Sequence, residues 1–240
     1  MINKIKMPDQ DKGMGSGLKQ ALLAAWPVCI AYLPIGIALG VLAQKAGLTP
    51  FEIGVMSVFV FAGSAQFIAV SMISGHAGLV PIILTTFMVN LRHVLMSSSL
   101  ALYLGRISSA KLSLFAYGIT DETFAVNLSK FHKGHWGFYR SLAVNQIANM
   151  AWVISTVIGG YSGQFIPAGA FGMDYAMIAM FISLLVIQIR GRIYLVTAII
   201  SGGLAVMLSL MMPGNSYIMV ASIISAALGA LIKNRSCRTC

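Results

Sequence analysis

Three short stretches of this 240-residue chain place polar groups within apolar surroundings, and each suggests a chemistry. In Phe61-Ala62-Gly63-Ser64-Ala65-Gln66-Phe67, four small residues precede an amide. Small residues allow close backbone approach, and Gln66 both donates and accepts hydrogen bonds. The stretch reads either as a helix-packing notch with Gln66 bonded across it or as a bend facing a substrate. In Asn90-Leu91-Arg92-His93 a guanidinium sits far from either end of an apolar run. It costs several kcal/mol there unless paired or hydrated, so Arg92 is expected to face a bundle interior, the alternatives being a structural ion pair or snorkelling. Asn90 and His93, three residues apart, share a helix face. In Thr120-Asp121-Glu122-Thr123-Phe124 two adjacent carboxylates lie among apolar neighbours. Adjacent helical positions do not both point at one partner, so one carboxylate is free to pair with Arg92 while the other serves a proton or a ligand. The bland alternative is an interfacial or re-entrant run whose acids are solvated.

The elements that position these groups must be membrane helices. Hydrophobic residues make up 58% of the chain and charged residues 9%, with mean hydropathy +0.85, against about one quarter charged in soluble domains. A helix crosses the hydrocarbon layer with about 20 apolar residues, whereas the short alternating strands of a barrel are absent. The expected fold is an all-α integral membrane protein, a polytopic helical bundle of about eight segments, some broken or re-entrant. The segments are 19–44, 51–74, 78–104, 112–128, 141–161, 175–189, 193–212 and 216–232. Pro27 and Pro34 each delete a helix hydrogen bond, which predicts a kink or break in the first. Residues 19–232 are expected to form one membrane domain between cytoplasmic tails at 1–18 and 233–240.

Sixteen basic and six acidic residues give a net charge of +10. In a soluble protein that would suggest nucleic acid; here the cations flank apolar runs, where they meet phospholipid headgroups. With eight crossings and a cytoplasmic N-terminus, twelve basic residues lie inside and only Lys45, Arg106 and Lys111 outside, as the positive-inside bias requires. One conflict is local: the connection holding Arg106 and Lys111 falls outside. It disappears if the segments starting at Phe51 and Leu112 dip into the membrane and return, giving six spans and two re-entrant segments. Eight crossings are the expectation, and this is the alternative.

Cys29, Cys237 and Cys240 imply no disulfide framework, and two thiols in a terminal Cys-Arg-Thr-Cys are a weak signal for metal or lipid. Gly36 with Gly40, and Gly159, Gly160, Gly202 and Gly203, are packing or hinge points. His132 and His135 belong to a polar connection. No phosphate loop, zinc signature or nucleophile turn occurs, so neither an enzyme nor a cofactor is expected and ATP would have to act through another chain.

The Ala62–Phe67 run, the Asn-Leu-Arg-His run and the Thr-Asp-Glu-x-Phe-Ala run from Thr120 to Ala125 resemble, in order and spacing, the AzlC family of branched-chain amino acid permeases. The likeness extends from about Leu18 to Ile232. It implies a multi-pass protein of the cell inner membrane that exports hydrophobic amino acids such as valine, leucine, isoleucine or methionine, with a small membrane partner of the AzlD type.

On that reading a zwitterion binds near the midplane. Its carboxylate meets Arg92 or backbone donors near Gly63, Ser64 and Ala65, with Gln66 and Asn90 as further binding or gating groups. Asp121 or Glu122 takes the ammonium or a proton, and His93 is the natural relay because an imidazole titrates at about 6.5. A passive solute channel lined by the same residues, or a structural or regulatory subunit whose polar groups only bind partner helices, are the competing readings.

Overall fold

A computed structural model describes residues 14–105, 107–134, 136–166 and 192–211, with single positions and short runs between 175 and 189 and between 220 and 229. Residues 1–13 and 230–240, with Cys237 and Cys240, and most of the segments expected at 175–189 and 216–232 lie outside the described residues. Among the described residues every element is helical: α1 (Met14–Lys45), α2 (Pro50–Phe59), α3 (Gly63–Ser74), α4 (Leu79–Ala101), α5 (Ser109–Tyr117), α6 (Asp121–His132), α7 (Phe138–Ser162, followed by a 3-10 turn at Gly163–Phe165) and α8 (Arg192–Met211). The protein is an all-α membrane protein. Stretches at Gly17–Lys45, Leu79–Ala101 and Phe138–Phe165 are long and apolar enough to cross a bilayer.

α1 and α7 form the centre. They run parallel, since Tyr32 meets Trp152, Gly36 faces Ser155, Gly40 faces Gly159 and Gly160, and Gln44 reaches Gly163. The contact is backbone on backbone: a methyl on Gly159 would collide with Ile37, one on Gly40 with Gly160. The break expected at Pro27 and Pro34 is corrected here, because α1 continues as one helix through both. Each proline costs about 3 kcal/mol in a helix interior, but the close seam with α7 fixes the neighbouring turns.

The segment expected at 51–74 is interrupted at Val60–Ala62, and that at 112–128 at Gly118–Thr120. Both fold back. Gln66 Nε2 donates to Ser57 Oγ at 3.2 Å, although a continuous helix would separate those residues by about 13 Å along its axis. In the second hairpin the Asn145 amide binds both Phe115 O, at 3.1 Å, and Asn127 Nδ2, at 2.9 Å, which a straight helix would hold about 18 Å apart. At the ends of that hairpin Lys111 Nζ donates to Tyr139 OH at 3.1 Å, and Tyr103 OH lies 2.9 Å from His132 Nε2. The start of α5, the end of α6, the end of α4 and the start of α7 therefore share one level, the face where α1 begins. By the same logic α2 starts beside Gly160 at the far face, and α4, whose 23 residues span about 34 Å, returns the chain from it.

Two re-entrant hairpins thus enter from opposite faces, which replaces the expectation that these segments cross. Irregular backbone at that depth survives because protein surrounds it: Tyr117 OH donates to Val58 O at the end of α2, and Asn145 satisfies Phe115 O at the end of α5. Lys19, Lys111, Lys130, Lys133 and Arg140 then share one face, with Lys45 on the other, and the charge conflict at Lys111 vanishes. Arg106 and His135 lie outside the described residues. A direct check follows. In a chain with its native cysteines replaced by serine, Lys45→Cys and His76→Cys should react with an impermeant maleimide from the same side of the membrane and Ser108→Cys from the other; opposite sides for the first two would restore the crossing arrangement.

Candidate functional site

The tips of both hairpins meet α1, α4 and α7 around one pocket. Its walls are Tyr32 and Ile35 from α1, Phe61–Ser64 from the first tip, Arg92 and His93 from α4, Thr120–Glu122 from the second tip and Trp152 from α7. The interruptions create it. α3 starts at Gly63, so its first amide groups have no partner within the helix, Gln66 N being the first to bond back, to Ala62 O. α6 starts at Asp121 behind a reciprocal cap between Thr120 and Thr123. Two helix N-termini, each with positive partial charge, converge there.

Arg92 joins them. Its Nη2 donates to Ser64 Oγ at 2.5 Å and pairs with Asp121 Oδ2 at 3.0 Å. The two side chains keep 30% and 19% of their exposure, so the pair borders the pocket and is not sealed in the core. Glu122 faces differently. Its Oε2 accepts from Tyr32 OH at 2.9 Å, and the same hydroxyl lies 2.7 Å from Thr120 Oγ1. The site therefore holds one guanidinium and two carboxylates, each carboxylate with its own partner. Opposite lies an apolar wall of Phe61, Tyr32 and Trp152, with Tyr32 edge-on to both of the other rings. The cavity is small, about 20 Å³, room for roughly one water.

Of the residues that the sequence singled out, Gly63, Ser64, Arg92, His93, Asp121 and Glu122 are brought together. Ala65, Gln66 and Asn90 are not among the lining residues. Gln66 is fully buried and belongs to a framework: Trp152 Nε1 donates to its Oε1 at 2.7 Å, its Nε2 donates to Ser57 Oγ, and that hydroxyl lies 2.8 Å from Thr156 Oγ1. This fits the packing notch, one of its two sequence readings. Gln66→Leu should leave the Trp152 indole N–H unpaired and cost about 1–3 kcal/mol, read as a lower melting temperature in detergent, while retaining the pocket's charges. Pro27 and Pro34 do not line the pocket either.

Sequence reasoning missed Tyr32, Thr120 and Trp152. Thr120 carried a readable signal: a threonine followed by two acids is how a helix begins. Tyr32 and Trp152 carried none, since an aromatic in an apolar run is ordinarily packing. Among the described residues no cluster of metal-ligating side chains occurs.

Comparison with known proteins places this geometry in context. Residues 27–166 match the family described as AzlC protein, a stretch that begins inside α1, takes in both hairpins and ends after α7. The inner membrane protein YgaZ of Escherichia coli K12 is 31% identical over 215 residues, 86% of each chain. The branched-chain amino acid transport protein AzlC of Bacillus subtilis 168 is 29% identical over 210 residues, 85% of this chain and 80% of the relative. An uncharacterized membrane protein of Archaeoglobus fulgidus is 30% identical over 188 residues, 77% of this chain and 81% of the relative. No solved structure matches the chain significantly.

Proposed function

The chain belongs to the AzlC family, a family of membrane transport proteins, and from this we propose that it is the large subunit of a secondary exporter of hydrophobic amino acids, valine, leucine, isoleucine or methionine. The name of the Bacillus subtilis relative supports the substrate class. The observation that carries the reading is the Arg92–Asp121 pair, 3.0 Å apart, at the tips of the two hairpins with Glu122 beside it.

A zwitterion suits this arrangement. Its carboxylate takes the place of Asp121 on Arg92 and gains the free amide groups at the start of α3, as helix N-termini favour anions. Its ammonium takes the freed Asp121, with Glu122 in reach. One ion pair becomes two, the net charge of the pocket is unchanged, and no charge is left unpaired in a medium where that costs several kcal/mol. The apolar wall of Phe61, Ile35 and Trp152 receives the side chain. Glu122, held by Tyr32, and His93 are the groups for a proton. Because the cavity holds about 20 Å³, far less than any such amino acid, loading requires the tips to part, which is the behaviour of a carrier with alternating access and not of a standing pore.

The full assignment is a cytoplasmic N-terminus in the inner membrane, residues 19–232 as the transport domain with cytoplasmic tails, and a small AzlD-type partner. Counterflow of radiolabelled valine into proteoliposomes tests it, with and without that partner. Saturable exchange that depends on the partner is expected. Unsaturable leak would replace the carrier by a channel, and no flux with both subunits present would leave a structural or regulatory role.

A further inference from the structure

The two hairpins and the long helices that follow them have the same plan. In the first unit a 10-residue helix, a three-residue tip, a 12-residue helix and a short loop lead into the 23 residues of α4. The second runs through 9 residues, a three-residue tip, 12 residues and a short loop into the 25 residues of α7. The first unit enters from the far face and the second from the face where α1 begins, the arrangement that a pseudo-two-fold axis in the membrane plane would produce. The register is specific. An offset of 58 residues sets Gly63 and Ser64 against Asp121 and Glu122, and an offset of 59 sets Asn90 against Asn149 and His93 against Trp152. The pocket is where the units meet, with equivalent positions on both sides of it.

The two halves are not in the same condition. In the second, Asn149 Nδ2 donates to Tyr117 OH at 3.2 Å, and Tyr117 OH donates to Val58 O across the contact between the tips. In the first, the position equivalent to Tyr117 is Phe59, which has no hydroxyl, and Asn90 Oδ1 is buried with no hydrogen-bond partner among the described residues. A buried amide oxygen without a partner costs about 1–3 kcal/mol. It penalises the arrangement in which it occurs relative to one in which it is paired.

We propose that α2–α4 and α5–α7 are an inverted repeat whose halves exchange conformation during transport, that the Asn149–Tyr117–Val58 chain is the latch of the described state, and that Asn90 acquires its partner in the opposite one. This rests on the transport reading for its purpose, yet it makes opposite demands on two residues outside the pocket lining. Removing the Tyr117 hydroxyl releases the latch and favours the alternative state. Removing the Asn90 amide relieves the strain of the described state and favours it.

The test reads conformation without using a substrate, so its failure is distinct from failure of the amino acid assignment. Ile35, a pocket residue on α1 outside both units, is changed to cysteine in the full chain with Cys29, Cys237 and Cys240 replaced by serine. An impermeant maleimide is then applied to sealed vesicles from each face in turn. Tyr117→Phe should change the ratio of the two labelling rates at least about fivefold in one direction, and Asn90→Leu should change it in the other. Asn149→Leu, which removes the same latch from its other end, should act as Tyr117→Phe does and replaces it if that variant fails to insert. Ratios that stay within about twofold, or that move the same way in Tyr117→Phe and Asn90→Leu, overturn the proposal.

Discussion

Arg92→Gln should reduce valine counterflow by at least about 100-fold while the protein still inserts, and Asp121→Asn should do nearly the same. Each removes one partner of the 3.0 Å pair at the hairpin tips. Breaking a buried pair from one side costs about 3–5 kcal/mol; this partly exposed pair should fall at the lower end, and 1.4 kcal/mol is a factor of ten. Part of that is folding energy, so the double variant Arg92→Gln/Asp121→Asn decides what was lost. It removes both charges of the pair together, and its melting temperature should recover towards that of the parent protein. Transport should not recover, because the cation for the substrate carboxylate is gone and only Glu122, held by Tyr32, is left for its ammonium. Flux restored in the double variant would show that the pair only braces the two tips. Arg92→Lys is expected to fall between these limits: it keeps the charge, but a single ammonium has no planar fork with which to bind Ser64 and a carboxylate together.

Gly40→Ala should be the most destabilising single methyl in the described part of the chain. Its Cβ would lie 2.6 Å from Gly160 N and 2.8 Å from Gly159 C. Those are backbone atoms, which cannot rotate aside, so α1 and α7 must separate and lose contact along their length. The expected cost is about 3 kcal/mol, the upper end for overpacking, read as a fall in thermal stability in detergent and in yield from the membrane. Gly203→Ala on α8 is the control. Among the described residues nothing lies within 4 Å of its added methyl, and alanine favours a helix over glycine by about 1 kcal/mol, so that variant should be neutral or stabilising.

The contrast shows where the sequence was legible. Gly40 and Gly203 have the same standing in a reading of spacing, and only the partner's backbone tells them apart. Apolar content over about 20 residues revealed that the chain is a helical membrane protein, because that property is additive along the sequence. It could not decide whether the segments at 51–74 and 112–128 cross, since a three-residue interruption hardly alters an average. The basic residues at Arg106 and Lys111 held the better clue, through a conflict that only a folded-back segment removes.

The pocket was partly legible for a similar reason. Arg92, Asp121 and Glu122 stand out because a charge among apolar neighbours is costly and demands an explanation. Gln66 stands out equally, yet its donor and acceptor groups are used by Ser57 and Trp152; polarity marks a need for a partner without saying whether that partner is a side chain or a solute. Tyr32 shows the opposite case, an ordinary aromatic until α1 brings its hydroxyl 2.9 Å from Glu122. The repeat was nearly invisible as sequence, because its paired positions keep the same plan with different residues, Asn90 and Asn149 being the exception among those at the pocket and its latch.

A cavity of about 20 Å³ at the meeting of the hairpins also bears on bioenergetics. Each elementary charge crossing an energised membrane releases about 2.3 kcal/mol per 100 mV, so a continuous file of water through the polar centre would let protons or metal ions run down the gradient on which a secondary carrier depends. On the carrier reading proposed above, closed tips interrupt such a file at this pocket. Many idle copies can then reside in one membrane without short-circuiting it.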